Sequence, residues 1–287
     1  MLGLFFSMLI PFPVSVPVSG LLAAHICLVN GMRAAALVAL GAGAGLAVLA
    51  VAVGAPVAQI LFAAIIAWLP VILLAGLMRQ WRSLTLTLQV SVIAMLAGLL
   101  IFFVVTGNPT AYWNNEIDQA LSLFRDSGLT EYADWLEQSR AALVPQMSML
   151  LAFMIWTVYA AILLLGNGLY QSLAGGKAAF GRFRDLNFGR VLAATMAAAS
   201  VLALVTRATW LENLAFVAFV AFWLQGLAML HWLRADKRLP TILLVVVYAG
   251  LLAPLVNGMV ITALAIAGYM DAWFDFRARA KTRDDKV

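Results

Sequence analysis

The passage GNPTAYWNNEIDQALSLFRDSGLTEYADWLEQSRAAL, residues 107–143, is the one long polar stretch in an otherwise hydrophobic chain. Its reading decides the fold, because the sequence on either side of it reads as apolar helix joined by short connections. Asn108 followed by Pro109 is a helix cap followed by a first-turn proline, and Glu116 and Asp118 lie early, where the helix dipole favours acids. Trp113, Ile117, Leu121 and Phe124 recur at helical spacing and form one apolar face. Asp126-Ser127-Gly128 is a stop signal, and Thr130 with Glu131 starts a second helix. There Tyr132, Trp135, Leu136, Ser139 and Leu143 share a face that leads to Pro145. Two amphipathic helices are expected, with aromatic residues suited to the headgroup layer, lying as a cap on a bundle.

Composition explains why the flanks must be membrane-spanning. Of 287 residues, 64% are hydrophobic and only 11% are charged, against roughly a quarter charged in soluble domains. No soluble core absorbs that much apolar surface, so lipid must solvate most of it. The net charge of +5 does not signal nucleic-acid affinity, because the basic residues sit in short connections rather than on a patch. Cys27 is the lone cysteine and lies in an apolar run, which excludes an intrachain disulfide and a thiolate metal cluster. The N-terminus lacks the basic, apolar, small-residue order of a cleaved signal and is read as retained.

Taken in order, Met1–Ile10 is apolar but reaches only about 15 Å, against a hydrocarbon core of roughly 30 Å. It reads as a half-helix or the end of a longer one. Pro11, Pro13 and Pro17 interrupt it before Val18–Val29. Ala34–Val53, Val57–Leu77 and Leu84–Val105 follow, the last leading out to the polar insert. After it come Gln146–Leu165, Val191–Val205 and Leu214–Leu230. Leu239–Phe276 reads as a hairpin turning near Pro254 to Gly258. The expected fold class is therefore all-α: a single integral membrane domain over 1–287, a bundle of about nine to ten segments with the insert 107–143 on its outer face.

Charge orients it. The insert carries six acids (Glu116, Asp118, Asp126, Glu131, Asp134, Glu137) against Arg125 and Arg140. The other connections are basic, and cytoplasmic loops carry the excess of Lys and Arg. With the insert outside and the tail inside, all but Arg125, Arg140 and Arg207 of the 18 basic residues are cytoplasmic. A plasma membrane of the bacterial inner type is the expected location.

Chemistry is sparse. No Asp, Glu, Lys or Arg falls in the middle of a segment drawn above, whereas proton relays and ion-coupled pumps use such groups. His25 and His231 are isolated and have no acid at ligand spacing, so packing explains them better than a metal. No metalloprotease, nucleophile-elbow or phosphate-loop motif is present; Gly175-Gly176-Lys177 lacks the flanking residues such a loop needs. Neither an enzyme nor a cofactor is expected. Asn167, Gln171, Gln225 and Asn257 are candidate solute-lining positions, although such residues more often bond helix to helix. The loop Phe180–Arg190 alternates aromatic and basic residues, so Arg182, Arg184 and Arg190 suit anionic lipid or a cytoplasmic protein partner. Asp271, Asp275, Arg277 and Arg279 close the last helix, with Asp275 and Arg279 at i,i+4 spacing for an ion pair; the other expectation is that Asp271, Asp275 and Arg277 form a contact for a partner or for anionic lipid. The partners foreseen are the bilayer, a cytoplasmic protein and a small molecule of unspecified kind.

The ending Gly268-Tyr269-Met270-Asp271-Ala272-Trp273-Phe274-Asp275-Phe276-Arg277, the run Leu224 to His231 and the loop Phe183 to Arg190 resemble the YybS-like family of integral membrane proteins. That likeness implies a polytopic helical fold and carries no activity. Pro11 to Leu40, with prolines before an apolar segment and then Asn30-Gly31-Met32-Arg33, resembles the start of substrate-binding subunits of energy-coupling-factor vitamin transporters. That likeness implies binding of a small solute, with a partner module supplying the energy. The rival expectation is a non-catalytic scaffold that recruits cytoplasmic partners through its basic loops.

Overall fold

The computed structural model describes residues 2–8, 14–173 and 178–277. Among them every regular element is helical. In chain order these are α1 (Leu2–Ser7), α2 (Ser15–Asn30), α3 (Met32–Ala52), α4 (Val57–Trp81), α5 (Leu84–Thr106), α6 (Pro109–Asp126) and α7 (Thr130–Leu143). They are followed by α8 (Met147–Leu173), α9 (Gly189–Thr206), α10 (Thr209–Ala221), α11 (Trp223–Ala235), α12 (Thr241–Leu252) and α13 (Asn257–Phe274). Single turns of 3-10 helix sit at Val144–Gln146 and Phe183–Asp185.

Among the described residues six stretches are long and apolar enough to cross a membrane: Met32–Ala52, Val57–Trp81, Leu84–Thr106, Thr130–Leu173, Gly189–Thr206 and Thr209–Ala235. The chain is a helical, membrane-embedded protein, but the expected nine to ten segments are not reached. Length is the reason. α1, α2 and α12 have 6, 16 and 12 residues, or about 9, 24 and 18 Å of rise against a core of about 30 Å. In α13 the polar Asn257 and Asp271 dilute an otherwise apolar run. The 239–276 stretch does contain two helices packed on one another, α12 and α13, with the break at Ala253–Val256.

The helices form two compact units. The first takes the described residues of 1–91, 156–187 and 228–236; the second takes those of 92–155, 188–227 and 237–277. In the first, α2 and α4 are the main pair, and α3 packs on both. Both helices bury small residues, Ala23, Ala24 and Cys27 in α2 and Ala64, Ala67 and Ala75 in α4. Small side chains allow the close approach on which helix association in lipid depends. At the end of α2, Arg79 Nη1 donates to the carbonyl oxygens of Leu28 and Val29 at 2.6 and 2.8 Å. That places a cation where the helix dipole is negative and the last carbonyls lack partners. The loop before α9 is held by the Leu84 N–H donating to the Phe180 carbonyl at 2.6 Å, with Phe180 and Leu186 buried.

In the second unit the polar insert is a helical hairpin, as its caps and periodicity require. Asn108 Oδ1 accepts from the Ala111 N–H at 3.1 Å, and Gly128, in the left-handed region at φ 74°, turns the chain between α6 and α7. Trp113, Ile117 and Leu121 of α6 pack with Ala133 and Val144, flanked by Phe102, Phe124, Leu136 and Met147. Trp113 Nε1 also donates to Ser148 Oγ at 2.7 Å, both groups being buried. Arg140 of α7 bonds to Asp118 of α6 at 2.5 Å and to Glu137 at 2.8 Å. The shared face expected for α7 is split: Ala133 and Leu136 turn inward, while Tyr132 and Trp135 are exposed. In the same unit α9 packs on α10, and α13 packs on both.

Candidate functional site

The feature of the second unit that packing alone does not explain is a buried polar cluster where α11 meets α13. Two glycines bring the helices together. A Cβ on Gly226 would fall inside contact distance of the Leu264 carbonyl, 2.8 Å from its carbon. A Cβ on Gly268 would collide with the Phe222 carbonyl and approach the Gly226 nitrogen at 2.6 Å. Backbone therefore lies on backbone, and no side chain larger than hydrogen fits at either position.

One residue from Gly226 and one turn from Gly268, the crossing holds Gln225 and Asp271, both fully buried at 0% exposure. Gln225 Nε2 donates to Asp271 Oδ2 at 3.0 Å, and the Phe188 N–H donates to Gln225 Oε1 at 2.7 Å. Arg277 completes the cluster, its Nη2 donating to the same Asp271 Oδ2 at 2.6 Å. It reaches back because α13 ends at Phe274 and Asp275 adopts the left-handed conformation, φ 47°, which reverses the chain. Its side chain is only 9% exposed. Around the cluster, the Phe222 ring meets Phe188 edge-on at 5.7 Å and Tyr269 at 5.5 Å. These rings exclude water and strengthen every charge interaction inside.

The accounting leaves one atom over. Asp271 Oδ2 takes two donors, whereas Asp271 Oδ1 is buried and has no hydrogen-bond partner. A carboxylate oxygen in that condition carries a desolvation cost that a bound donor would relieve. Chemically, the cluster offers one acceptor with a donor amide and a guanidinium beside it. Among the described residues no group of three or more His, Cys, Asp and Glu side chains converges to hold a metal ion.

The sequence-level candidates divide between the units. In the first, Asn167 Nδ2 and Gln171 Nε2 both donate to the Gly181 carbonyl, at 3.1 and 3.0 Å. Asn167 Oδ1 is buried without a partner. Of the loop cations there, Arg182 is exposed and Arg184 half-buried. In the second unit Arg190 is exposed at the start of α9. Asn257 opens α13, fourteen residues and so about 21 Å of helix rise from Asp271, and does not share its cluster. Gly175, Gly176, Lys177 and Arg279 lie outside the described residues, as do Pro11 and Pro13. Asp271 pairs with Arg277 across the end of α13, and the Asp275–Arg279 pair expected at i,i+4 spacing falls on Arg279, outside the described residues.

Ser148 and Asn213 are among the buried polar residues that escaped sequence reasoning. Ser148 takes the Trp113 indole, and Asn213 Nδ2 donates to the carbonyls of Thr209 and Pro145, at 2.8 and 3.4 Å. For Asn213 the available signal was a polar residue one turn inside an apolar helix; Ser148, in the first turn of α8, offered none. The break at Phe222, between α10 and α11, had none: the run reads as continuous hydrophobic helix. Comparison of the chain with protein-family models, with curated proteins and with solved structures finds no match in any of the three.

Proposed function

We propose that this chain is a non-enzymatic, multi-pass plasma-membrane protein that binds a small polar solute, with Asp271 as its anchor and a separate module supplying any energy for transport. The observation that carries the reading is the unpartnered Asp271 Oδ1 in an otherwise satisfied, buried cluster. A fully buried carboxylate is costly unless every oxygen is satisfied, so one left short of a donor is a candidate for binding. A solute presenting an N–H or O–H donor fits that oxygen. Gln225 and Arg277 keep the carboxylate fixed, so little ordering is left for the solute to induce.

The charge distribution supports an orientation with the insert outside and Arg33, Arg234, Lys237 and Arg238 inside. Among the described residues six candidate spans lie between Arg33 and the Arg234–Arg238 connection, and an even number of them supports this reading. The hairpin of α12 and α13 leaves the basic tail on the same side as the Arg234–Arg238 connection. The test is native mass spectrometry of the gently purified protein beside Asp271→Asn. The expected result is a stoichiometric small adduct on the wild type that is depleted in the variant. An adduct-free wild type that no solute stabilises against heat would end the reading.

A second reading rests on Arg182 and Arg190, exposed cations of the loop region. It makes the chain a scaffold that recruits a cytoplasmic protein. Co-purification of a protein subunit that is lost on Arg182→Glu with Arg190→Glu, with no small adduct, would favour it.

A further inference from the structure

The insert has two apolar surfaces, and only one of them is used inside the protein. Trp113, Ile117 and Leu121 are consumed by the hairpin's own core and by the helix ends beneath it. Around the tip, Leu123, Leu129, Tyr132 and Trp135 are exposed, Tyr132 at 63% and Trp135 at 60%. They come from the end of α6, the turn and the first turns of α7, so the fold gathers them at one end of the hairpin. We infer that this tip is a membrane anchor: Leu123, Leu129, Tyr132 and Trp135 seat in the glycerol and headgroup layer of the leaflet from which α5 emerges.

Two observations select lipid as the occupant. The first is where the hairpin starts. Phe102 lies one turn before the end of α5, yet its ring packs on Tyr112 at 5.4 Å and on Trp113 at 5.9 Å. Trp113 also bonds Ser148, in the first turn of α8. The first turns of α6 are therefore folded back onto the ends of α5 and α8 rather than carried away from them. The helix ends they cover expose Ile101, Val104, Val105, Leu150 and Leu151, side chains suited to lipid, so the insert is continuous with a lipid-facing surface.

The second observation is chemical. Tyr and Trp are the side chains whose apolar ring and polar edge favour the membrane–water boundary. Asp126, Glu131 and Asp134 are exposed beside them. Carboxylates there keep the tip shallow and make it prefer zwitterionic over anionic headgroups, since like charges repel across a short distance.

Cys27 is buried, so the wild-type thiol is a low-labelling background for single added cysteines. Trp135→Cys, Tyr132→Cys and the exposed α6 position Gln119→Cys are each coupled to an environment-sensitive fluorophore and reconstituted in phosphatidylcholine nanodiscs. Labels at 135 and 132 should emit further to the blue than the label at 119. Headgroup-level spin-labelled lipid should quench them at least about twofold more, as expected for groups seated in the interface. Replacing part of the phosphatidylcholine with phosphatidylglycerol should reduce both differences. Equal, water-like emission at all three positions would overturn the anchor. So would a blue shift that persists in lipid-free amphipol and grows with protein concentration, because that pattern assigns the tip to a second copy of the chain. If one cysteine variant fails to fold, the other tests the same claim.

Discussion

Removing Arg277 should cost far more than its place at the end of a helix suggests. A surface ion pair contributes about 0–1 kcal/mol, but Asp271 is fully buried and its partner's side chain is 9% exposed. Arg277→Ala leaves the carboxylate with one donor, Gln225 Nε2, and no cation among the contacts described above. Breaking a buried pair from one side costs about 3–5 kcal/mol, roughly a hundredfold or more in the folded-to-unfolded ratio. Asp271→Asn keeps an acceptor for Gln225 but removes the charge, so it should cost less, about 1–3 kcal/mol. In that background Arg277 has no carboxylate to neutralise, and Arg277→Ala should cost only about 1 kcal/mol more. The double-mutant cycle should therefore show a coupling of about 2–4 kcal/mol. Reversible unfolding in mixed detergent micelles measures all four corners. Additive effects, with Arg277→Ala below about 0.5 kcal/mol, would refute the idea of a desolvated pair and reduce Arg277 to a surface residue.

Gly226→Ala and Gly268→Ala should each destabilise by about 1–3 kcal/mol, because a carbonyl and not a pliable side chain occupies the space. Gly98→Ala, where a Cβ meets nothing within 4 Å, should be neutral or slightly stabilising; the same unfolding assay compares the three. Trp113→Phe should cost about 1 kcal/mol by stranding Ser148 Oγ. Hydrogen exchange should then accelerate across α6 and α7 and leave the rest of the chain unchanged. Arg79→Ala should release the carbonyls of Leu28 and Val29 and cost about 1 kcal/mol, seen as faster exchange confined to the last turn of α2.

The sequence disclosed the parts of this fold that depend on local rules. Asn108-Pro109 and Asp126-Ser127-Gly128 place the hairpin because capping and turn formation are decided within a few residues. Trp113, Ile117 and Leu121 identify its buried face because their spacing is helical. Tyr132 and Trp135 were grouped with Leu136 on adjacent α7 positions, and spacing cannot say which edge of a broad apolar face meets the partner helix. The segment count overshot because composition marks a run as apolar without fixing how many of its residues stay helical. The candidate site was half legible. Gln225 and Asp271 stand out as polar residues in apolar helices, but their meeting depends on Gly226 lying against Leu264 and Gly268 against Phe222. That is a long-range packing event. Arg277 stands beside Asp271 at the end of the last helix, but their pairing was not legible, because it requires Asp275 to turn left-handed.

The glycine crossing and the polar cluster are mechanically one object. In lipid, helices gain little from burying apolar surface against each other, so close packing and polar contacts must fix their register. Glycines alone allow α11 and α13 to touch but do not choose among neighbouring offsets along the two backbones. Gln225 makes that choice, because its amide is engaged at both ends, by Phe188 N–H and by Asp271 Oδ2. A register lock needs no more than that, and a neutral side chain at 271 would supply it without the cost of burying a carboxylate. The chain instead carries an aspartate, balances it with an arginine returned by a left-handed turn, and leaves Oδ1 unpaired. Asp271→Asn separates the two roles. Register needs only the acceptor that asparagine retains, so the crossing should survive in that variant, whereas the solute binding we propose needs the charge and should not.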